Sequence, residues 1–172
     1  MDFAEVLKKR KSIREYQEKA VSEETIKSVL RLASTSPSAG NLQARSVVVV
    51  KSKEIKERLS DACLGQESVA EAGVIFVITA NKEESIAKYG KRGQDLYSLQ
   101  DATIFASYLQ LAATSFGLAS VWVGAFDESM VQDILVISKD YRPIAIIPVG
   151  YPAGGPRETD RKSLDELVIK RL

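Results

Sequence analysis

The sequence predicts a fold of the α+β or α/β class, in which helices cover both faces of a central sheet. Two apolar runs, residues 47–50 and 74–78, are short and uniform, as expected of strands buried on both sides. Stretches with apolar residues at helical spacing, the longest at residues 99–116, supply the covering layers. The pattern of connections does not decide whether neighbouring strands are parallel.

The composition is that of an ordinary globular chain. Of its 172 residues, 45% are hydrophobic and 27% are charged, which predicts a single domain over residues 1–172. A net charge of +1 argues against a protein held on nucleic acid by bulk charge. One cysteine, Cys63, excludes an internal disulfide framework, and neither a bilayer-spanning apolar run nor a signal peptide is evident. We therefore expect a cytoplasmic protein without a membrane or nucleic-acid partner.

The chain contains no histidine. This absence removes the commonest general base, the histidine-oriented triads and most zinc sites, so no metal site is predicted. A lone cysteine without histidine behaves as a small buried apolar residue more often than as a nucleophile. If the protein is an enzyme, we expect its reactive atoms to belong to a bound cofactor.

Capping and proline signals set the elements of the first half. A hydroxyl side chain caps a helix by accepting a backbone N–H, and the residue before a proline leaves helical geometry. In chain order, the predicted elements are a helix beginning near Asp2, a helix capped by Ser22 and ended at Pro37, a strand at 47–50, helices up to Cys63 and Ala72, and a strand at 74–78.

The second half is predicted to begin with an irregular excursion, because residues 81–98 are polar and contain Gly90 and Gly93. The strand at 142–149 is expected near a sheet edge or a bend, because it contains two prolines. The other predicted elements are a helix at 99–116 stopped by Gly117, a strand at 119–123, a helix capped by Asp127, and a last helix opened by the Ser163 capping box. The many alanines of the long helix suggest close approach to another helix, of the same chain or of a partner.

The basic cluster Arg10-Lys11-Ser12-Ile13-Arg14 follows the first helix directly. In an extended chain Arg10, Ser12 and Arg14 lie on one side, because successive side chains alternate. Two guanidinium groups and a hydroxyl on one side can bind the oxygens of a phosphate. A solvated basic turn is the plainer alternative for such a run.

The segment at residues 37–43 is rich in small and turn-forming residues. Such a loop exposes backbone N–H groups and lets a ligand approach closely. Asn41 and Gln43 add donors and acceptors suited to a heterocycle. A plain connector between helix and strand is the alternative interpretation.

Four signals follow one another along the chain: the basic cluster, the Pro-Ser-x-x-Asn-x-Gln loop at 37–43, the turn from Gly117-Leu118 to Trp122-Val123-Gly124, and Val149-Gly150-Tyr151-Pro152. Together they make the chain resemble the nitroreductase family, the FMN-dependent NAD(P)H oxidoreductases, over residues 3–168. The resemblance implies an α+β fold with a mixed, mostly antiparallel sheet and an interlocked homodimer with FMN at its interface. It also implies a ping-pong enzyme that passes a hydride from NADH or NADPH through flavin to a nitroaromatic, quinone-like or other small acceptor.

The resemblance also assigns site residues. Those implied at the phosphate and ribityl end of FMN are Arg10, Lys11, Ser12 and Arg14, completed by Arg161, with Arg157 or Lys162 left open. Those implied to pack on the partner's flavin are Pro37, Ser38, Ala39 and Asn41, with Gln43 nearby. Those implied to run past the flavin ring, with backbone N–H groups near its N5, are Trp122, Val123, Gly124 and Ala125. No catalytic side chain is implied, because the hydride passes between nicotinamide and flavin.

The chain departs from the family pattern at two places. Many members follow Asn-x-Gln with Pro-Trp, whereas Ala44 and Arg45 stand here. Larger relatives place an Asn and a Lys against the flavin where this chain has Gly65 and Ser68, so Gln66 is expected to take over that polar contact. The excursion that shapes the substrate pocket in larger relatives is short here, and no substrate specificity is carried over.

Three other functions are open at this point. Relatives on the same scaffold fragment flavin or remove halogens reductively, and Tyr89, Tyr97 and Asp101 are the polar residues suited to such a change. A non-enzymatic module could bind phosphate or nucleic acid through the basic cluster. A structural dimer could use the long helix only as an interface. The colour of the purified protein separates flavin proteins from the last two.

Overall fold

The computed structural model describes all 172 residues, as eight α-helices and four strands. A 3₁₀ turn at Ala39–Asn41 and a π-helical turn at Gly93–Tyr97 complete the regular structure. The helices are α1 Phe3–Lys9, α2 Glu23–Ser34, α3 Lys53–Ala62, α4 Glu67–Glu71, α5 Lys82–Arg92, α6 Ser98–Ser115, α7 Glu128–Leu135 and α8 Leu164–Leu167. The strands are β1 Arg45–Val50, β2 Val74–Asn81, β3 Ala119–Ser120 and β4 Tyr141–Gly150.

The four strands form one sheet in the order β1-β2-β4-β3, and all three ladders are antiparallel. Val47 lies opposite Ile78, and Ser120 lies opposite Val149. A single parallel bridge between Ser12 and Ser120 adds the segment after α1 beside β3. The α+β class with a mixed, mostly antiparallel sheet is thus confirmed, and the α/β alternative is excluded.

Each face of the sheet carries its own hydrophobic core. Alternate residues of a strand point to opposite faces, so neighbours in β2 belong to different cores. Phe76 and Ile78 pack with α2 and α6, whereas Ile75 and Val77 pack with α3, α4 and α7. The prediction that helices cover both faces is therefore confirmed.

The run at 47–50 forms a strand as predicted, but its burial is less complete than expected. β1 is an edge strand; Val47 and Val48 are half-buried, and 37% of Val49 is exposed. All eight residues of β2, by contrast, are buried. The difference arises because β1 has a neighbouring strand on one side only.

The strand at 142–149 was predicted near a sheet edge or a bend, and it does not form the edge, because β4 lies between β2 and β3. The expected bend is present: the β2–β4 register shifts between Ile78 and Thr79, next to Pro143. The Pro148 carbonyl accepts from Val121 N at 3.4 Å, on the side of the short edge strand β3. The N–H and C=O of one residue in an antiparallel strand point to the same side, so the N–H that proline lacks would also face β3. A central strand therefore tolerates both prolines.

The predicted irregularity of residues 81–98 was also wrong. This stretch forms α5 and the π-helical turn that leads into α6. Its glycines permit a kink and a close approach instead of a loop. Gly90 has φ +55° and ψ −141°, and a Cβ atom at Gly93 would lie 2.7 Å from the carbonyl carbon of Ser85.

The predicted helix ends agree with the structure. Asp2, Ser22, Asp127 and Ser163 each accept a backbone N–H as N-caps, and Gly117 follows α6 with φ +75°. Residues 155–172, including α8, are exposed throughout. No helix combines the length and apolar character needed to span a bilayer.

Candidate functional site

The basic cluster lies in an extended segment that runs from α1 along β3. Two buried side chains, Ile13 and Tyr16, anchor it. Ile13 N donates to the Ser120 carbonyl at 3.1 Å, and Tyr16 Oη donates to the carbonyls of Ile13 at 2.8 Å and Pro148 at 3.2 Å. Burial raises the pKa of the Tyr16 hydroxyl, opposed by nearby Arg14, so Tyr16 remains a neutral donor.

The cations of this segment are free of protein partners. Arg10 is half-buried, whereas Lys11, Ser12 and Arg14 are exposed. None of the four ion pairs in the structure includes Arg10, Lys11 or Arg14. Their positive charge is therefore available to an anion, which fits the group that the sequence predicted for this position.

The segment Trp122–Ala125 continues from β3 and ends in exposed backbone. Val123 exchanges hydrogen bonds with Ile146 of β4, N to O at 2.9 Å and O to N at 3.0 Å. After this pair, Gly124 and Ala125 are exposed, and their N–H groups have no acceptor within the protein. Two adjacent free N–H groups suit an electron-rich heteroatom of a ligand.

An ion pair that the sequence did not reveal joins α7 to β4 beside this turn. Arg142 donates to the Glu128 carboxylate through Nε at 2.9 Å and Nη2 at 2.8 Å. The hydrogen bonds from Arg142 lower the pKa of Glu128. The pair lines a cleft of about 340 Å³ beside Gly124 and Phe126, and its two residues are too far apart in the sequence to be recognised as partners.

The turn after α3 lies next to the Trp122–Asp127 segment, because Asp127 N donates to the Ala62 carbonyl at 3.0 Å. Leu64 and Gly65 have positive φ angles of 61° and 74°. The Gln66 amide, predicted to contact a ligand, donates instead to the Cys63 carbonyl at 3.1 Å within its own turn. Its assignment to the site stays a prediction.

The loop at residues 37–43 is tightly wound. Gly40, Asn41 and Gln43 all have positive φ angles, of 56°, 58° and 54°. Ser38 Oγ accepts from Gln43 N at 3.0 Å across the turn. Asn41 and Gln43 are exposed, and Pro37, Ser38 and Ala39 line a cleft of about 530 Å³ against the start of α6.

Asp101 of α6, suggested by the sequence for altered chemistry, holds this loop by its backbone. The residue is 1% exposed, and its two carboxylate oxygens accept from Ala39 N at 2.9 Å and Ala44 N at 3.2 Å. Arg45 stands, with Ala44, at the sequence position where many family members have Pro-Trp. It donates to the Ser34 and Ser36 carbonyls at 3.1 and 3.3 Å, and burial lowers its pKa.

The structure brings together some of the predicted residues and separates others. The basic cluster, the Trp122–Ala125 segment and the turn of Gln66 lie around β3 and its continuation. The loop at 37–43 leads into β1, at the opposite edge of the sheet. Along α6, Asp101 at the loop and Gln110, which donates to Ser120 Oγ at 3.2 Å, are nine residues or about 14 Å apart.

The basic residues of the C-terminal segment make no hydrogen bond or ion pair with either group. Arg161 donates to Thr159 Oγ1 at 3.1 Å and to the Asp160 carbonyl at 3.3 Å, within its own exposed segment. Arg157 and Lys162 are exposed as well. The structure does not join Arg161 to the basic cluster by any hydrogen bond.

Comparison with known proteins identifies the family. The model of the nitroreductase family matches residues 7–71 and 64–151. A protein of Methanothermobacter thermautotrophicus, named as a candidate NADH dehydrogenase/NAD(P)H nitroreductase, is 31% identical over an alignment that covers 99% of this chain and 88% of that protein. An iodotyrosine deiodinase of Haliscomenobacter hydrossis is 22% identical, with 98% and 87% of the two chains covered.

Solved structures agree with the sequence comparison. A nitroreductase family protein from Streptococcus pneumoniae TIGR4 superimposes with a TM-score of 0.90 at 25% identity, over 99% of this chain and all of that one. From its sequence and its fold, the chain therefore belongs to the nitroreductase family, the FMN-dependent NAD(P)H oxidoreductases that its motifs resemble.

Proposed function

We propose that the chain binds FMN along β3 and uses NADH or NADPH to reduce a small acceptor, such as a nitroaromatic or quinone-like compound. FMN, when bound, takes up a hydride from the nicotinamide and delivers reducing equivalents to the acceptor. The observation that carries the proposal is the placement of the unpaired cations of residues 10–14 and the free N–H groups of Gly124 and Ala125 along one strand. A ligand with a phosphate at one end and a ring with hydrogen-bond acceptors at the other needs such a pair of sites.

Each part of this surface has its own task. Arg10, Lys11 and Arg14 neutralise the phosphate, and the Ser12 hydroxyl donates a further hydrogen bond. Trp122 and the backbone of Val123 would lie beside the ring, and the N–H groups of Gly124 and Ala125 would stabilise the negative charge that develops on reduction. Glu128 and Arg142 support this turn and do not bind the ligand, because their charged groups are taken up by each other.

The loop at 37–43 serves the flavin of a second chain in this proposal. Within one chain it lies at the opposite sheet edge from the basic cluster, so a second copy must bring Pro37, Ser38, Ala39, Asn41 and Gln43 to the ring. Exposed apolar side chains are available for such an interface: Phe3, Leu7, Tyr108, Leu164, Leu167 and Ile169. The C-terminal segment with Arg161 would then pack on the partner, where its cation completes the phosphate site.

Reduction of the bound flavin tests the proposed chemistry. NADH or NADPH, mixed with the flavin-loaded protein without an acceptor, should bleach the flavin absorbance in a stopped-flow instrument. Double-reciprocal plots for donor and acceptor should then be parallel, as expected when both substrates occupy one site in turn. A flavin that neither nicotinamide reduces would contradict the proposal.

Association is tested separately by light scattering over a dilution series. A homodimer that shares its sites should remain dimeric while it is folded, because interlocked interfaces typically bury roughly 2,000 Å² or more. A folded monomer that binds FMN at low protein concentration would remove the proposed role of the loop at 37–43.

Reductive dehalogenation is the second candidate function, favoured by the similarity to the deiodinase of Haliscomenobacter hydrossis. It would use the same fold and flavin with another reductant. Release of iodide from an iodinated phenol by chemically reduced protein, together with a flavin that is inert to NADH and NADPH, would favour this candidate.

A further inference from the structure

The mouth of the cleft beside the loop at 37–43 carries a compact group of aromatic and cationic side chains. The rings of Tyr89 and Tyr97 meet edge to face, with centroids 5.0 Å apart and planes at 87°. Tyr97 lines the cleft of about 530 Å³ together with Pro37, Ser38 and Ala39. The group belongs to α5 and the π-helical turn that follows it directly, with the kink at Gly90 inside the group.

Two cations accompany these rings. Arg92 Nε donates to Tyr97 Oη at 3.0 Å, and its Cζ lies 5.4 Å from the centre of the Tyr97 ring. Lys88 Nζ lies 5.4 Å from the centre of the Tyr89 ring. The ring faces hold both cations in place by cation–π attraction.

The loop at 37–43 touches this group at Gly40. Tyr89 Oη and Lys88 Nζ occupy the space that a side chain at Gly40 would need, with Lys88 Nζ 2.7 Å from the position of a Cβ atom. Gly40 also has φ +56°, which favours glycine. Lys88, although exposed, thus extends over the backbone of this loop at Gly40, next to the cleft.

Neither cation is neutralised by the protein. None of the four ion pairs of the structure includes Lys88 or Arg92. Tyr97 therefore brings an aromatic ring to the cleft, with Arg92 hydrogen-bonded to this ring and Lys88 over the adjoining Tyr89 ring. The carboxylate of the cleft lining, Asp101, is occupied by the backbone N–H groups that it accepts through both oxygens. An aromatic ring can stack in such a place while its negative substituent pairs with the cations.

We propose that Lys88 and Arg92 make this enzyme selective for aromatic acceptors that carry a carboxylate. The inference rests on the proposed function, since this cleft shares Leu99 and Thr103 with the cleft beside Gly124, where the flavin ring is proposed to lie. It deepens that function by giving the acceptor a charge. A neutral aromatic acceptor of the same size would still stack on Tyr97 but would lose the attraction of the two cations.

Binding of benzoate to the oxidised, FMN-loaded protein tests the selectivity without any turnover. Benzyl alcohol is the neutral probe of the same size, and the flavin absorbance reports both titrations. We expect benzoate to bind the wild type roughly five- to tenfold more tightly, the effect of a partly exposed pair of charges. Equal dissociation constants for the two probes would overturn the proposal.

Variants assign the preference to the two side chains. The double change Lys88→Gln and Arg92→Gln should remove it, whereas Lys91→Gln, a neighbouring cation outside these contacts, should retain it. The ratio of kcat/KM for 4-nitrobenzoate over 4-nitrobenzyl alcohol should change in the same way. Raising the salt concentration with the wild type should also weaken the preference, a measurement that needs no variant. A preference that survives in the double variant would refute the assignment.

The donor is the other possible source of an anion, because NADPH carries an additional phosphate. We expect NADPH and NADH to bleach the flavin of the double variant with the same ratio of rates as in the wild type. A selective loss with NADPH would overturn the acceptor assignment. If neither nicotinamide bleaches the wild-type flavin, the proposed function fails, and the benzoate titration still decides the charge selectivity by itself.

Discussion

Replacement of Asp101 by asparagine should destabilise the protein more than its small change in shape suggests. Both carboxylate oxygens of this residue accept backbone N–H groups, from Ala39 at 2.9 Å and Ala44 at 3.2 Å. An asparagine side chain at this position would keep one acceptor and turn its NH₂ group toward the second N–H donor. Because Asp101 is 1% exposed, water cannot replace the lost bond.

The cost follows from the bonds that change. A hydrogen bond to a charged group contributes about 1.5–3 kcal/mol, and the remaining bond becomes a weaker neutral one. Nearby Arg45 also loses a favourable negative charge. We therefore expect Asp101→Asn to lower the free energy of unfolding by about 2–4 kcal/mol, or Tm by roughly 5–15 °C for a chain of this length.

Urea unfolding at one protein concentration and one level of flavin loading gives the measurement, since both affect apparent stability. Asp133→Asn is the matched control, because this exposed side chain makes no hydrogen bond and should change stability by less than about 0.5 kcal/mol. If Asp101→Asn were as harmless as the control, the loop at 37–43 would not depend on Asp101.

Further predictions follow from three single residues. Arg14→Ala should lower the affinity for FMN by roughly one to two decades, and the affinity for riboflavin, which lacks the phosphate, far less. Equal losses of affinity for the two ligands in a flavin titration would contradict the phosphate assignment. Val136 follows α7, is 90% exposed, and has a left-handed backbone conformation with φ +52°, which is unfavourable for a β-branched residue. Val136→Gly should therefore raise the free energy of unfolding by about 1 kcal/mol, measured by thermal unfolding. A lower Tm would refute this. Burial raises the pKa of the Cys63 thiol to about 12, so a thiol reagent at pH 8 should label unfolded but not native protein. Because only the unfolded chain ionises this thiol near pH 9, the same shift should make stability fall as pH rises through that range.

Local chemistry explains what could be predicted from the sequence. The caps at Ser22, Asp127 and Ser163 depend on atoms within one helical turn, and all three agree with the structure, as does the predicted helix start near Asp2. Helical and strand periods depend on similarly short stretches. The family, with its FMN-dependent oxidoreductase chemistry, was also predicted correctly, which sets aside the two non-enzymatic interpretations.

The order of the strands and the structural roles of the glycines could not be predicted in this way. β4 lies in the centre of the sheet because it pairs with both β2 and β3, and neither pairing is visible in its own sequence. Gly90 and Gly93 suggested a loop, but one allows a kink and the other a close approach to Ser85. A glycine indicates that a side chain is absent, and only the tertiary structure shows what uses the space.

The residues that support the candidate site were the hardest to predict, for a physical reason. Asp101 acts on N–H groups 62 and 57 residues away in the chain, and Arg142 on a carboxylate 14 residues away. The residues proposed to contact FMN form motifs because a ligand demands particular groups at short spacing. A supporting residue needs only to contact its partner in the folded protein, so the two residues can be any number of positions apart in the sequence. The fold must therefore be known before a supporting role of Asp101 can be separated from a role in the chemistry at the flavin. The asparagine variant distinguishes the two roles. Replacing a supporting residue changes both the free energy of unfolding and the affinity for FMN, whereas replacing a group that acts only on the acceptor would change neither.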